Sequence, residues 1–112
     1  LNSSLLSHVL KIAGENPVVA REMLVKHVKG LGYKEASHFL RNLGFKGLAI
    51  LDRHILRTLT ELGVLNEFPK ILNRGRYLAI ERIFIETARK LGISGDALDL
   101  LMWARKTGRV FK

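Results

Sequence analysis

Apolar residues recur at intervals of three and four along almost the whole chain. Val18, Val19, Met23, Leu24 and Val28 form one such series, and Ala36, Phe39, Leu40 and Leu43 another. This is the spacing of amphipathic helices, and the alternation of a half-buried strand is absent. Pro17 suits a helix's first turn and follows Gly14-Glu15-Asn16, so helices are predicted at about 3–13, 17–29, 33–43, 53–62, 76–91 and 95–106. An all-α fold is expected, with short connections that carry Gly, Asn or Pro.

Two glycines bracket a break at Gly44-Phe45-Lys46-Gly47, and the apolar run Leu48-Ala49-Ile50-Leu51 then leads to Asp52. Asp52 is thereby placed as the N-cap of the next helix. Ser94 is a similar cap for the last helix and Gly108 its stop, leaving Arg109-Val110-Phe111-Lys112 as a short tail. No internal repeat or low-complexity linker interrupts the chain. With 112 residues, 47% of them hydrophobic, it fits a single helical domain over 1–112 with a real core.

Between the second and third helices stands Val28-Lys29-Gly30-Leu31-Gly32-Tyr33-Lys34-Glu35-Ala36. Gly-apolar-Gly reads as a tight turn, and the small Ala36 lets the two helices approach closely. The span at about 17–43 thus has the form of a helix-hairpin-helix. A turn of this kind offers backbone N–H groups and a helix N-terminus to a phosphate, a contact independent of base sequence. Gly30, Leu31 and Gly32 are its expected phosphate-binding residues. A lone Gly-x-Gly often does no more than end a helix; here Val28, Ala36, Phe39 and Leu40 also stand where the motif wants them.

Charge adds weight to the phosphate reading. Nineteen Lys and Arg against ten Asp and Glu give a net charge of +9, which favours nucleic acid or another anionic surface. Lys34, Ser37, His38 and Arg41 share a helical face, so a basic stripe is expected to follow the hairpin, with His38 and Arg41 on DNA phosphates and Ala36, Phe39, Leu40 and Leu43 facing the core. His38 and His54 have no metal-ligand spacing with a second His or carboxylate, and no metal or cofactor is expected.

The chain has no cysteine, which excludes disulfides, thiolate nucleophiles and iron–sulfur clusters. No apolar run approaches the roughly 18–20 residues of a membrane span, and the start Leu1-Asn2-Ser3-Ser4 lacks the features of a signal peptide. A soluble cytoplasmic, nucleoid-associated monomer with no membrane partner is the expectation.

Any covalent chemistry then falls to groups such as Lys34 and Asp52. Most lysines are solvated surface charges, but Lys34 lies in the first turn after the hairpin, where the positive end of the helix dipole favours a free amine. Such an amine attacks carbon. Asp52, at the next helix's N-terminus, reads either as an ordinary cap or as a carboxylate that accepts a proton or stabilises a cationic sugar.

Together, Gly30-Leu31-Gly32-Tyr33-Lys34 and the Asp-x-His context of Asp52 resemble the helix-hairpin-helix superfamily of base-excision DNA glycosylases. The runs Gly32-Tyr33-Lys34-Glu35-Ala36-Ser37-His38-Phe39-Leu40-Arg41-Asn42 and Trp103-Ala104-Arg105-Lys106-Thr107-Gly108-Arg109-Val110-Phe111-Lys112 narrow it: they are similar to the archaeal-type (type 2) 8-oxoguanine DNA glycosylase/AP lyases. The resemblance extends from about Pro17 to the end of the sequence and implies that the chain corresponds to the C-terminal portion of longer proteins.

What the resemblance implies is an N-glycosylase/DNA lyase of base-excision repair. Lys34 would attack C1′ of the damaged nucleotide, expelling the base and leaving a Schiff base that breaks the strand by β-elimination, with Asp52 assisting. The partner would be double-stranded DNA containing 8-oxoguanine or abasic sites, with the base flipped into a pocket. Lys112 corresponds to the family's C-terminal lysine, implicated in telling 8-oxoguanine from guanine. The two bases differ at N7, which carries hydrogen only in the oxidised form, so a well-placed acceptor such as a terminal carboxylate separates them. Trp103 and Met102 are read either as core or as flat apolar partners of the flipped purine. The alternative outside the enzyme class is a non-catalytic helix-hairpin-helix DNA-binding module.

Overall fold

The computed structural model describes residues 3–107, and among them every regular element is a helix. The six are α1 (Ser3–Glu15), α2 (Pro17–His27), α3 (Tyr33–Asn42), α4 (Arg53–Glu61), α5 (Arg74–Lys90) and α6 (Gly95–Thr107). Packing divides them into two compact units, one running to Ile50 and the other beginning at Leu51. No helix among the described residues is long and apolar enough to cross a membrane.

In the first unit Asn16 and Pro17 separate α1 from α2. Asn16 Oδ1 accepts from the amides of Val18 (3.1 Å) and Val19 (3.4 Å), and Pro17 occupies the first helical position, where no N–H is needed. The helix ends at His27, two residues short of expectation, because Val28 is already extended (φ −107°, ψ 105°). Its successor α3 starts after Gly32. Val9 and Ala13 of α1, Ala20 and Leu24 of α2, Ala36 and Leu40 of α3, and Leu48 form one buried cluster. Ala36 is fully buried, as its small side chain at a close helix crossing requires.

The core side of α3 differs from the periodicity reading. Phe39 and Leu43 are 36% and 49% exposed, while Ser37 is fully buried beside Ala36 and Leu40. The helix is turned so that a hydroxyl faces α2, because α2 presents a buried arginine, Arg21, to meet it. Val18 and Val19 are exposed as well. They sit in the first turn of α2, where Asn16 takes their amides.

In the second unit Asp52 caps α4, its Oδ1 accepting from the Ile55 amide at 2.8 Å. Gly63, at φ +78°, turns the chain out of that helix. Asn73 Oδ1 accepts from the Arg76 amide at 2.9 Å and starts α5 at Arg74, two residues before the predicted boundary. Gly75 weakened the sequence signal for that first turn, and the cap supplies what the glycine does not. Ser94 Oγ accepts from the Ala97 amide at 3.1 Å at the head of α6, as expected. Helix α6 packs against α4 and α5. Its expected stop, Gly108, lies outside the described residues.

Candidate functional site

The hairpin is built from a helix end, a left-handed glycine and a capped helix start. Val28 leaves the helix, the Leu31 amide donates to the Val28 carbonyl at 3.1 Å, and Gly30 takes φ +85°, a conformation that a side chain would strain. Gly32 has a different reason to be glycine. Its backbone is extended (φ −91°, ψ −179°), but a Cβ there would lie 2.8 Å from Glu35 Oε1. That carboxylate oxygen accepts from the Gly32 amide at 3.2 Å, so Glu35 caps α3 from within.

An anion therefore already occupies the Gly32 amide. The same Glu35 carboxylate faces Lys34, whose Nζ lies 3.8 Å from Oε2, both side chains being about half exposed (47% and 51%). An exposed pair of this kind adds little stability. Exchanging Glu35 for an incoming phosphate is correspondingly cheap, and the Lys34 amine is open to a reactant.

Beneath Lys34 lies a network that periodicity does not reveal. Arg21 is fully buried, its Nη1 donating to Ser37 Oγ at 3.2 Å, and Ser37 Oγ donates in turn to the Tyr33 carbonyl at 2.6 Å. The guanidinium stands over the Tyr33 ring, 5.6 Å from its centroid, and the Tyr33 hydroxyl donates to Glu22 Oε2 at 2.6 Å. Two residues of α2 thus grip Tyr33 and Ser37, which bracket Lys34 along the first turn of α3. That grip holds the backbone from which Lys34 projects.

The expected basic stripe is accordingly incomplete. Lys34 and His38 are exposed and Arg41 is half-buried, but Ser37 points into the core and is withdrawn from that surface. A serine on a polar face gave no signal of burial, since its partner Arg21 lies in another helix.

In the second unit, Asp52 is half-buried and uses Oδ1 as the cap of α4. His54, the second residue of the helix, places Nε2 at 3.0 Å from the Met102 carbonyl and Nδ1 at 3.5 Å from Thr58 Oγ1. A carbonyl only accepts, so Nε2 carries the hydrogen. The ring is engaged in tying α4 to α6 rather than presented to a phosphate. Beyond it on α6 the two readings for the aromatic end diverge: Met102 is buried, whereas Trp103 is 49% exposed. Lys112 lies outside the described residues.

A glycine turn joining two helices, with an amine in the following turn, defines the class: a helix-hairpin-helix protein. Solved structures share the architecture. A crystal structure of Methanocaldococcus jannaschii 8-oxoguanine glycosylase/lyase in complex with 15mer DNA containing 8-oxoguanine matches 93% of this chain with a TM-score of 0.81 at 47% identity, over 51% of its own length. The 8-oxoguanine DNA glycosylase of Thermotoga maritima matches 92% with a TM-score of 0.79 at 43% identity, over 50% of its length.

The 8-oxoguanine DNA glycosylase family model matches residues 2–93, and the chain belongs to that family. Among curated relatives, the 8-oxoguanine DNA glycosylase/AP lyase of Korarchaeum cryptofilum is 59% identical over 92 residues, covering 82% of this chain and 44% of the relative. That of Methanocaldococcus jannaschii is 51% identical over 98 residues, covering 88% and 47%. The chain thus spans about half the length of the curated relatives it matches.

Proposed function

We propose that the protein carrying this chain removes 8-oxoguanine from DNA and cleaves the strand at the resulting site, with Lys34 as nucleophile. The observation that carries the reading is the joint one: membership of the glycosylase family over a segment that holds the hairpin, with an exposed amine in the turn behind it. Gly30, Leu31 and Gly32, with His38 and Arg41, hold the phosphate backbone and position the lesion strand.

In the proposed reaction the neutral Lys34 amine attacks C1′. The C1′–N9 bond breaks, and the base leaves with the bonding electrons and takes up a proton. The C1′–Nζ adduct gives up a proton from nitrogen, the C1′–O4′ bond opens as O4′ takes up a proton, and the iminium so formed acidifies C2′; loss of a C2′ proton then breaks the C3′–O bond and expels the 3′ phosphate. Asp52 stabilises the cationic sugar as the base departs and serves as proton acceptor. Trp103 stacks the extruded purine with its exposed face, Met102 shapes the wall behind it, and Lys112 reads the N7 edge. DNA containing 8-oxoguanine or an abasic site is the proposed partner of a monomeric, cytoplasmic enzyme.

Strand cleavage tests this directly. End-labelled duplexes containing 8-oxoguanine, guanine or an abasic site are incubated with the full-length protein, and product is followed with and without subsequent alkali. The first and third are expected to break without alkali and the second to stay intact. Tight, salt-sensitive binding to all three with no cleavage would instead establish a non-catalytic DNA-binding module.

A further inference from the structure

We infer that a pocket on the second unit, formed by α4 and the segment that follows it, takes one unpaired nucleotide of DNA, its phosphate on Arg53 and Arg57 and its base against Phe68. The inference rests on the DNA-binding part of the reading above and not on the chemistry of Lys34.

The pocket has a volume of about 430 Å³ and is lined by Arg53, Arg57, Thr60, Glu61 and Phe68. Arg53, Arg57 and Thr60 follow the i, i+4, i+7 spacing and so project from one side of α4. Two guanidinium groups one helical turn apart make a forked donor set suited to phosphate oxygens. Phe68 stands 38% exposed in the irregular stretch between α4 and α5, a ring kept at the surface beside those charges. The one carboxylate in the lining does not cancel them: Arg105 Nη1 holds Glu61 Oε1 at 3.1 Å, so the surroundings stay positive.

Size and chemistry choose the occupant. Pockets of some 300–1,000 Å³ enclose small molecules, and the volume here suits one nucleotide rather than a stretch of duplex. Duplex backbone needs only charge, whereas an exposed ring beside paired arginines also offers a stacking platform. Bases inside a duplex have both faces covered, so the base that reaches Phe68 is unstacked. Stacking of this kind is tolerant of base identity and adds to the electrostatic attraction of a chain carrying +9.

The test compares a blunt duplex with the same duplex bearing a short single-stranded tail at either end, by fluorescence anisotropy across a salt series with the full-length protein. A tailed duplex is expected to bind about tenfold more tightly than the blunt one. Phe68→Ala should bring that ratio to one and Phe68→Tyr preserve it. Arg53→Gln and Arg57→Gln should each reduce the salt slope for the tailed duplex by about 0.7. All three side chains are exposed, so the folded state tolerates these changes. Equal affinity for tailed and blunt duplexes, or a tail preference that survives Phe68→Ala, overturns the assignment. Lys34→Gln should keep the preference. A tail preference without lesion cleavage refutes the glycosylase reading alone, and cleavage without a tail preference refutes the pocket alone.

Discussion

Arg21, Ser37 and Tyr33 show how single side chains set the geometry around Lys34. Replacing Ser37 by Ala removes the acceptor of a buried guanidinium N–H, with an expected loss of about 1.5–3 kcal/mol in urea unfolding. Because the Tyr33 carbonyl loses the Ser37 hydroxyl at the same time, the lysine's turn loosens, and cleavage of 8-oxoguanine DNA should fall by more than DNA affinity does. Asp52 separates two roles in another way. Asn is nearly as good a cap as Asp, so Asp52→Asn should change stability by less than about 1 kcal/mol while slowing base release severalfold or more. Base release kept in Asp52→Asn but reduced in Asp52→Ala would reduce Asp52 to a cap. Of these residues the sequence exposed Asp52, through its position before an apolar helix, and Lys34, through the hairpin. It concealed Arg21, since arginine within a helical pattern reads as surface and its partner stands in the next helix.

At the scale of elements, local signals carried the fold. Pro17 marks a helix start by its fixed backbone, and Asp52 and Ser94 mark theirs by side chains that take specific amides, as both do in the structure. Boundaries moved where backbone geometry overrode periodicity, as at Val28, which turns extended to open the hairpin, and at Asn73, whose cap recruits Arg74 and Gly75 into α5. The rotation of α3 was hidden for a different reason. Phe39 and Leu43 satisfy the helical spacing as well as Ala36 and Leu40 do, and only a partner helix decides which pair is covered. The hairpin itself makes a sharp prediction. Gly30→Ala forces a side chain into φ +85° and should cost about 1–2 kcal/mol while weakening binding to DNA of any sequence. Gly32→Ala meets only the mobile end of Glu35, so its stability cost should be smaller and its main effect should be on phosphate binding.

For the molecule as a whole, charge and family membership set the expectations. If the protein acts on DNA as proposed, its net charge of +9 predicts an affinity that falls steeply with salt, by a factor common to damaged and undamaged DNA, with any lesion preference kept. Removing Arg41 should lower the slope by about 0.9 and leave that preference intact. Charge alone named only an anionic partner; the proposed lesion came from the family resemblance of the long runs around Lys34 and at the C-terminal end. The central claim is that Lys34 forms a covalent bond to the damaged nucleotide. Borohydride added during reaction of the full-length protein with 8-oxoguanine duplex reduces a Schiff base to a stable amine, and peptide mass spectrometry locates it. The expected result is a protein–DNA adduct on Lys34 that Lys34→Gln abolishes while DNA binding persists. An adduct undiminished in Lys34→Gln, or lesion excision by the native protein with no adduct at all, would contradict it.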